Sequence, residues 1–197
     1  VDYFPHKIFY NPIHNTEYPD PTYKSLKKTI NQTYGIPEKN LILANGANEA
    51  IAKLFHMLAV EKIHERMQLI MLGTTYSEYS KYADVNRFQH KYVDIKQLQN
   101  NPEKFANNVL VIVNPNTPYG RYVDIKDPLE KALQKGAIAI VDESFMDFTS
   151  FLSVSRLTDR YPNLFIIKSL TKFYGSPGAR LGVIVNSKNL YTNLLNT

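Results

Sequence analysis

The chain has 197 residues, 23 Lys and Arg against 18 Asp and Glu, a formal net charge of +5 and 44% hydrophobic positions. That size and balance suit one domain with a real core, and they exclude collagen-like, disordered and mini-protein chains. Without cysteine there is no disulfide and no thiolate metal site, and no apolar run nears the roughly 20 residues of a membrane helix. The first ten residues carry no signal-peptide core, so a cytoplasmic protein is expected. Lys and Arg are dispersed along the chain, which argues against nucleic acid and leaves room for a local positive site for a small anion.

Residues 1–20 hold three prolines and no clear period, and they read as an extended arm. Residues 21–33 place Tyr23, Leu26 and Ile30 at three- and four-residue steps, which predicts a helix. A short apolar run at 41–43 follows. A second helix is expected over 48–63, with Ile51, Leu54, Phe55 and Leu58 on one stripe. Further apolar runs stand at 69–72 and 109–113. A third helix is predicted over 125–135, closed by Gly136. The last runs are 137–141, 164–167 and 182–185. Most runs are rich in Val and Ile and do not alternate with polar residues, as in strands buried on both faces. The chain therefore predicts an α/β fold: a mostly parallel sheet covered by helices on both faces, in one domain over 21–197.

Ligands of such sheets bind beyond the carboxyl ends of the strands. Asp142 ends the 137–141 run, where a carboxylate calls for a positive partner, a helix to cap or a ligand. Lys172 follows the 164–167 run with Ser169 and Thr171 beside it. It reads either as a solvated surface group or as a desolvated amine reactive towards carbonyls. Arg180 lies in a Gly- and Pro-containing loop, either as a surface residue or as a clamp for phosphate. Asn45-Gly46-Ala47-Asn48-Glu49 opens a helix whose amides could take an anion, or Asn45 or Asn48 could be a plain cap. Together these residues ask for one ligand with a phosphate, a carbonyl and a basic ring nitrogen. Pyridoxal 5'-phosphate has all three. His6, His14, His56, His64 and His90 show no metal-ligand spacing, so no metal is expected and they read as surface or packing groups. Apart from Tyr18 and Tyr76, the tyrosines read as packing.

The chain resembles fold-type I pyridoxal-phosphate enzymes of aminotransferase class I/II, in the branch of histidinol-phosphate aminotransferases and threonine-phosphate decarboxylases. The resemblance rests on Glu17-Tyr18-Pro19-Asp20-Pro21, the Asn45 segment, Thr75-Tyr76-Ser77-Glu78-Tyr79, Pro115-Asn116-Thr117-Pro118-Tyr119-Gly120, Asp142-Glu143-Ser144-Phe145-Met146-Asp147-Phe148, and the run from Ser169 to Gly182. By that resemblance Lys172 forms the Schiff base and then shuttles a proton, Asp142 pairs with the ring nitrogen, and Tyr76 stacks on the ring. Gly46, Ala47, Asn48, Ser169, Thr171 and Arg180 hold the phosphate. Tyr18 reaches the phosphate of a neighbouring subunit, which implies a homodimer. By the same resemblance, the Thr117-Pro118 bond matches a position open to a cis bond.

Two departures stand out. Thr117 replaces the Asn, and Phe145 the Tyr, that commonly hydrogen-bond the cofactor's phenolic oxygen in the family. Fewer donors should stabilise the phenolate less. Relatives are also longer and carry a C-terminal small domain with a substrate-gripping arginine. The chain is therefore expected to be the cofactor-binding large domain, a fragment of the enzyme that binds cofactor weakly and turns over poorly alone. The expected activity is amino-group transfer between an amino acid, phosphorylated in part of the branch, and a 2-oxo acid. Cα decarboxylation of a phosphorylated amino acid is the near alternative. A DNA-regulating sensor lacks its basic N-terminal module here, and a dinucleotide or P-loop protein lacks its glycine motif.

Overall fold

The computed structural model describes residue 18 and residues 20–187. The arm expected at 1–20 thus lies outside the described residues, except for Tyr18 and Asp20, and so do residues 188–197. Seven strands form one sheet: β1 (Leu41–Asn45), β2 (Leu69–Leu72), β3 (His90–Val93), β4 (Val109–Val113), β5 (Ile138–Asp142), β6 (Leu164–Ser169) and β7 (Leu181–Val185). Their order across the sheet is β1-β7-β6-β5-β4-β2-β3. Strands β2 to β6 run parallel, while β7 runs antiparallel to both β1 and β6. Every residue of β2, β4, β5 and β6 is buried, which is what their unbroken apolar runs require.

Among the described residues six helices flank the sheet: α1 (Lys24–Tyr34), α2 (Ala47–Val60), α3 (Ser77–Val85), α4 (Lys96–Asn100), α5 (Lys126–Gln134) and the single turn α6 (Leu170–Phe173). Strand residues alternate between two apolar cores. Val111, Ile140 and Ile167 face one core with Ile51, Leu54 and Phe55 of α2 and Tyr79 and Ala83 of α3. Leu110, Val141 and Ile166 face the other, with Ile30 of α1, Leu98 of α4 and Leu129 and Leu133 of α5. The predicted three-layer α/β architecture is the observed one.

Some boundaries and elements differ. The first helix starts at Lys24 rather than residue 21, because Asp20 first makes a turn, accepting from the Thr22 and Lys24 amides at 2.8 and 2.9 Å. The second stops at Val60, before the 63 expected, and the third ends at Gln134 with Gly136 following at φ +86°. Strand β3 was not anticipated: His90-Lys91-Tyr92-Val93 pairs only with β2 at the sheet edge, and no residue of it is fully buried. Helix α3 was missed because only Tyr79 and Ala83 are buried, too thin a stripe to read as a period. His56 is exposed on α2, and His64 packs edge-on against Phe88 with ring centroids 5.8 Å apart. Among the described residues no helix is long and apolar enough to cross a membrane, and no group of three or more His, Asp and Glu could hold a metal ion.

The reversed direction of β7 decides the site. Its register pairs Gly182 with Ala44 of β1 and with Ser169 of β6. The residue that precedes β7, Arg180, therefore lies at the same end of the sheet as the residues that follow β1, β5 and β6. Gly182 also lets β7 approach the turn that starts α2: a Cβ there would lie 2.5 Å from the Gly46 carbonyl carbon and 2.9 Å from the Ala47 nitrogen. Gly182→Ala must push that backbone aside and is expected to lower stability by about 1–3 kcal/mol, read as a reduced thermal midpoint.

Candidate active site

A cavity of about 450 Å³ opens at the carboxyl end of the sheet. Its walls include Ala47, Asn48, Tyr76, Thr117, Asp142, Ser144, Phe145, Ser169, Thr171, Lys172 and Arg180. It thus gathers the sequence-predicted site residues except two. Gly46 lies just behind the wall, against the Arg180 guanidinium. Tyr18 is fully exposed and is not among the lining residues of its own chain.

Asp142 is the last residue of β5, and its side chain emerges on the α2 and α3 face. It is buried, and two neutral donors hold it. The Tyr79 hydroxyl donates to Oδ2 at 2.8 Å, and the Ser144 amide donates to Oδ1 at 2.9 Å. Burial, and then the adjacent Asp142 charge, push the Tyr79 phenol well above its ordinary range, so it stays a donor. This corrects the reading of Tyr79 as packing alone. The signal was its place three residues after Tyr76, which α3 turns into a second inward-facing phenol.

Lys172 sits on α6, one turn beyond the end of β6, rather than at the strand end itself. Its Nζ lies 5.1 Å from the centroid of the Phe145 ring. Burial lowers the amine below the ordinary lysine range; Asp142 pulls the other way, and Arg180 adds to the lowering. Of the two readings open from the sequence, the partly desolvated amine is the one seen here. Nearby, the Ser169 and Thr171 hydroxyl oxygens are 3.1 Å apart. Helix α2 starts without a side-chain cap, with Gly46 at φ +84° in the cap position. The reading of Asn45 or Asn48 as a plain cap is thereby corrected; it is the Asn45 amide that donates, to the Glu49 carboxylate. A Cβ at Gly46 would overlap the Arg180 guanidinium, so the glycine makes room for the cation beside the first turn of α2. The Thr117-Pro118 bond is cis, and so is Asn114-Pro115.

A second polar cluster, not anticipated from the sequence, lies beneath the cavity on the opposite face of the sheet. Lys168 Nζ is 3.2 Å from Glu143 Oε2 and 3.6 Å from Asp147 Oδ1, and it lies 5.2 Å from the Tyr34 ring centroid. The Tyr34 hydroxyl donates to Asp147 Oδ2 at 2.8 Å, so Tyr34 too is more than packing. Glu143 also accepts from the Ser153 hydroxyl at 2.6 Å and the Val154 amide at 2.8 Å. Strand parity explains the split: Asp142 and Ser169 face the cavity, while their neighbours Glu143 and Lys168 face the other side. Lys168→Met leaves two carboxylates without their cation and is expected to cost about 3–5 kcal/mol of stability in denaturant unfolding.

Fold and site together define an α/β protein with a guanidinium, two hydroxyls, a partly buried amine and a buried carboxylate around one cavity. The chain matches the family of aminotransferase class I and II over residues 13–197, and it belongs to that family. It is 32% identical over 184 residues to a histidinol-phosphate aminotransferase of Brachyspira hyodysenteriae, covering 91% of this chain and 51% of that one. The chain spans about half the length of the curated relatives it matches. Its fold superposes on the crystal structure of histidinol-phosphate aminotransferase from Clostridium acetobutylicum with a TM-score of 0.75 at 25% identity, over 93% of this chain and 56% of that one. L-threonine-O-3-phosphate decarboxylase from Porphyromonas gingivalis shares the fold, with a TM-score of 0.73 at 19% identity, over 91% of this chain and 56% of that one.

Proposed function

We propose that this chain forms the pyridoxal-phosphate-binding part of a cytoplasmic, homodimeric aminotransferase that moves an amino group between an amino acid and a 2-oxo acid. The observation that carries this reading is the single cavity bounded by Lys172, Asp142 and the Arg180–Ser169–Thr171 corner. The residues present fit the cofactor. One end offers a guanidinium, two hydroxyls and the uncapped first turn of α2, a donor set for a phosphate dianion. Gly46 leaves the space in which the Arg180 guanidinium lies. The far wall offers a buried carboxylate for a ring nitrogen.

Bound there, pyridoxal phosphate would supply an aldehyde for amines and a ring that accepts electrons from the substrate Cα. Lys172 would hold the cofactor through its aldehyde, and its free amine would move a proton at the substrate Cα. Asp142 would keep a proton on the ring nitrogen, and Tyr79 and the Ser144 amide hold that carboxylate in place. Tyr76, half-exposed as the residue before α3, would cover a ring face. Thr117 offers a hydroxyl where relatives carry an amide, and Phe145 contributes only apolar surface. Tyr18, exposed on its own chain, is left to serve the phosphate of the neighbouring subunit. The arm at 1–20, the domain over 21–197 and a C-terminal small domain belonging to the longer enzyme complete this reading.

Titration with pyridoxal phosphate should give a yellow protein that borohydride bleaches, with the label on Lys172 in peptide mapping. A label on another lysine refutes the assignment. A second reading, Cα decarboxylation of a phosphorylated amino acid, is favoured by Phe145, which removes a phenol next to the amine. Pyridoxamine phosphate as product supports transfer; carbon dioxide supports decarboxylation.

A further inference from the structure

Ser144 is not among the site residues read from the sequence. Its residue is 6% exposed, it lines the cavity between Asp142 and Phe145, and its hydroxyl oxygen is buried without a hydrogen-bond partner. Buried hydroxyls in folded proteins are almost always paired, so an orphan on a ligand cavity wall points to the ligand as its partner.

The backbone around Ser144 is held, so its hydroxyl reaches a new partner only by side-chain rotation. The Glu143 amide donates to the Ile167 carbonyl at 2.8 Å, the Ser144 amide donates to Asp142 Oδ1 at 2.9 Å, and the Met146 amide donates to the Glu143 carbonyl at 3.0 Å. The segment is pinned to β6 on one side and to the site carboxylate on the other. The other buried side-chain atoms found unpaired among the described residues, Asn40 Oδ1 and His64 Nδ1, belong to residues that do not line this cavity.

We propose that Ser144 is a further cofactor-binding residue, whose hydroxyl completes its hydrogen bonding on a polar atom of the bound pyridoxal phosphate. This rests on the function proposed above. The neighbouring side chains give the hydroxyl a use. Phe145 has no polar group and Thr117 has a short one, so Ser144 adds a hydroxyl to a wall poor in donors.

The test compares the parent chain with Ser144→Ala, which removes one oxygen and nothing else. Two readouts are taken: the thermal midpoint of the cofactor-free protein, and the dissociation constant for pyridoxal phosphate from absorbance titration. A hydroxyl reserved for the ligand contributes nothing to the empty protein. The cofactor-free midpoint of Ser144→Ala should therefore equal that of the parent or exceed it by roughly 2–4 °C. Cofactor affinity should fall about five- to ten-fold. An unchanged dissociation constant overturns the proposal, and so does a lowered cofactor-free midpoint, which would mean that the hydroxyl serves the fold. If the parent itself takes up no pyridoxal phosphate, the proposed function and this inference fall together. If the parent binds and the variant binds equally well, only this inference falls.

Discussion

Lys172→Ala is expected to lower amino-group turnover by roughly 10⁴–10⁶-fold and to abolish borohydride labelling, while the thermal midpoint stays close to that of the parent. The structural reason is that Lys172 is the amine lining the cavity, only partly buried on the one-turn α6, so its removal costs chemistry rather than packing. Its environment also sets a pH dependence. Only the neutral amine attacks an aldehyde. Burial lowers the amine's affinity for a proton, Asp142 raises it and Arg180 lowers it again, with a net lowering from the ordinary lysine value of 10.5. The rate of cofactor uptake should rise with pH and level off below 10.5. The signs for neighbouring variants follow. Asp142→Asn removes the charge that favours the ammonium, so the midpoint should move to lower pH; Arg180→Gln removes a repulsive charge, so it should move to higher pH. Stopped-flow absorbance against pH checks both. Movement in the opposite sense would show that these charges do not act on Lys172. Undiminished turnover by Lys172→Ala would refute the proposed function.

The second large effect belongs to Asp142. Asp142→Asn is nearly isosteric: its Oδ1 can still accept from the Ser144 amide, and its Nδ2 can donate to the Tyr79 hydroxyl oxygen, which reverses that bond. It loses the negative charge that the proposed function assigns to holding a proton on the ring nitrogen. Turnover should fall roughly 10²–10³-fold, as when a preorganised charge is removed from a developing one. Cofactor uptake should persist, with its pH midpoint shifted as above, because Lys172 and the phosphate corner are still present. Tyr79→Phe should give a smaller loss in the same direction, since it leaves the charge but removes one donor that orients it. Full activity in Asp142→Asn would separate the carboxylate from the chemistry.

Much of this was legible before the fold. The apolar runs at 69–72 and 109–113 became β2 and β4 at the same residues. Burial on both faces leaves a purely local signature, an unbroken stretch of Val, Ile and Leu, and such signatures survive in one dimension. The half-exposed edge strand β3 and the mostly polar α3 leave no such trace. The residues that meet in the cavity were legible for a related reason. A carboxylate, a lysine flanked by hydroxyls and a glycine-led helix start are conspicuous where an apolar run ends.

The partners of these groups were not legible. Tyr79 and Tyr34 look alike among the 14 tyrosines, yet one orients Asp142 and the other Asp147. Glu143 and Lys168 each sit one residue from a cavity group and turn to the opposite face.

By itself the amino-acid sequence determined the layered α/β architecture, the strand ends where chemistry gathers, and the residue types there that call for a phosphorylated aldehyde on a basic ring. Only the tertiary structure decided that β7 runs backwards and so delivers Arg180 to the Gly46 turn, which hydroxyl holds Asp142, and that Ser144 is left unpaired on the cavity wall. The physical reason is range. Hydrophobic periodicity is set by neighbours a few residues apart, whereas strand direction, register and the pairing of buried polar groups join residues dozens of positions apart, as Tyr79 joins Asp142 across 63.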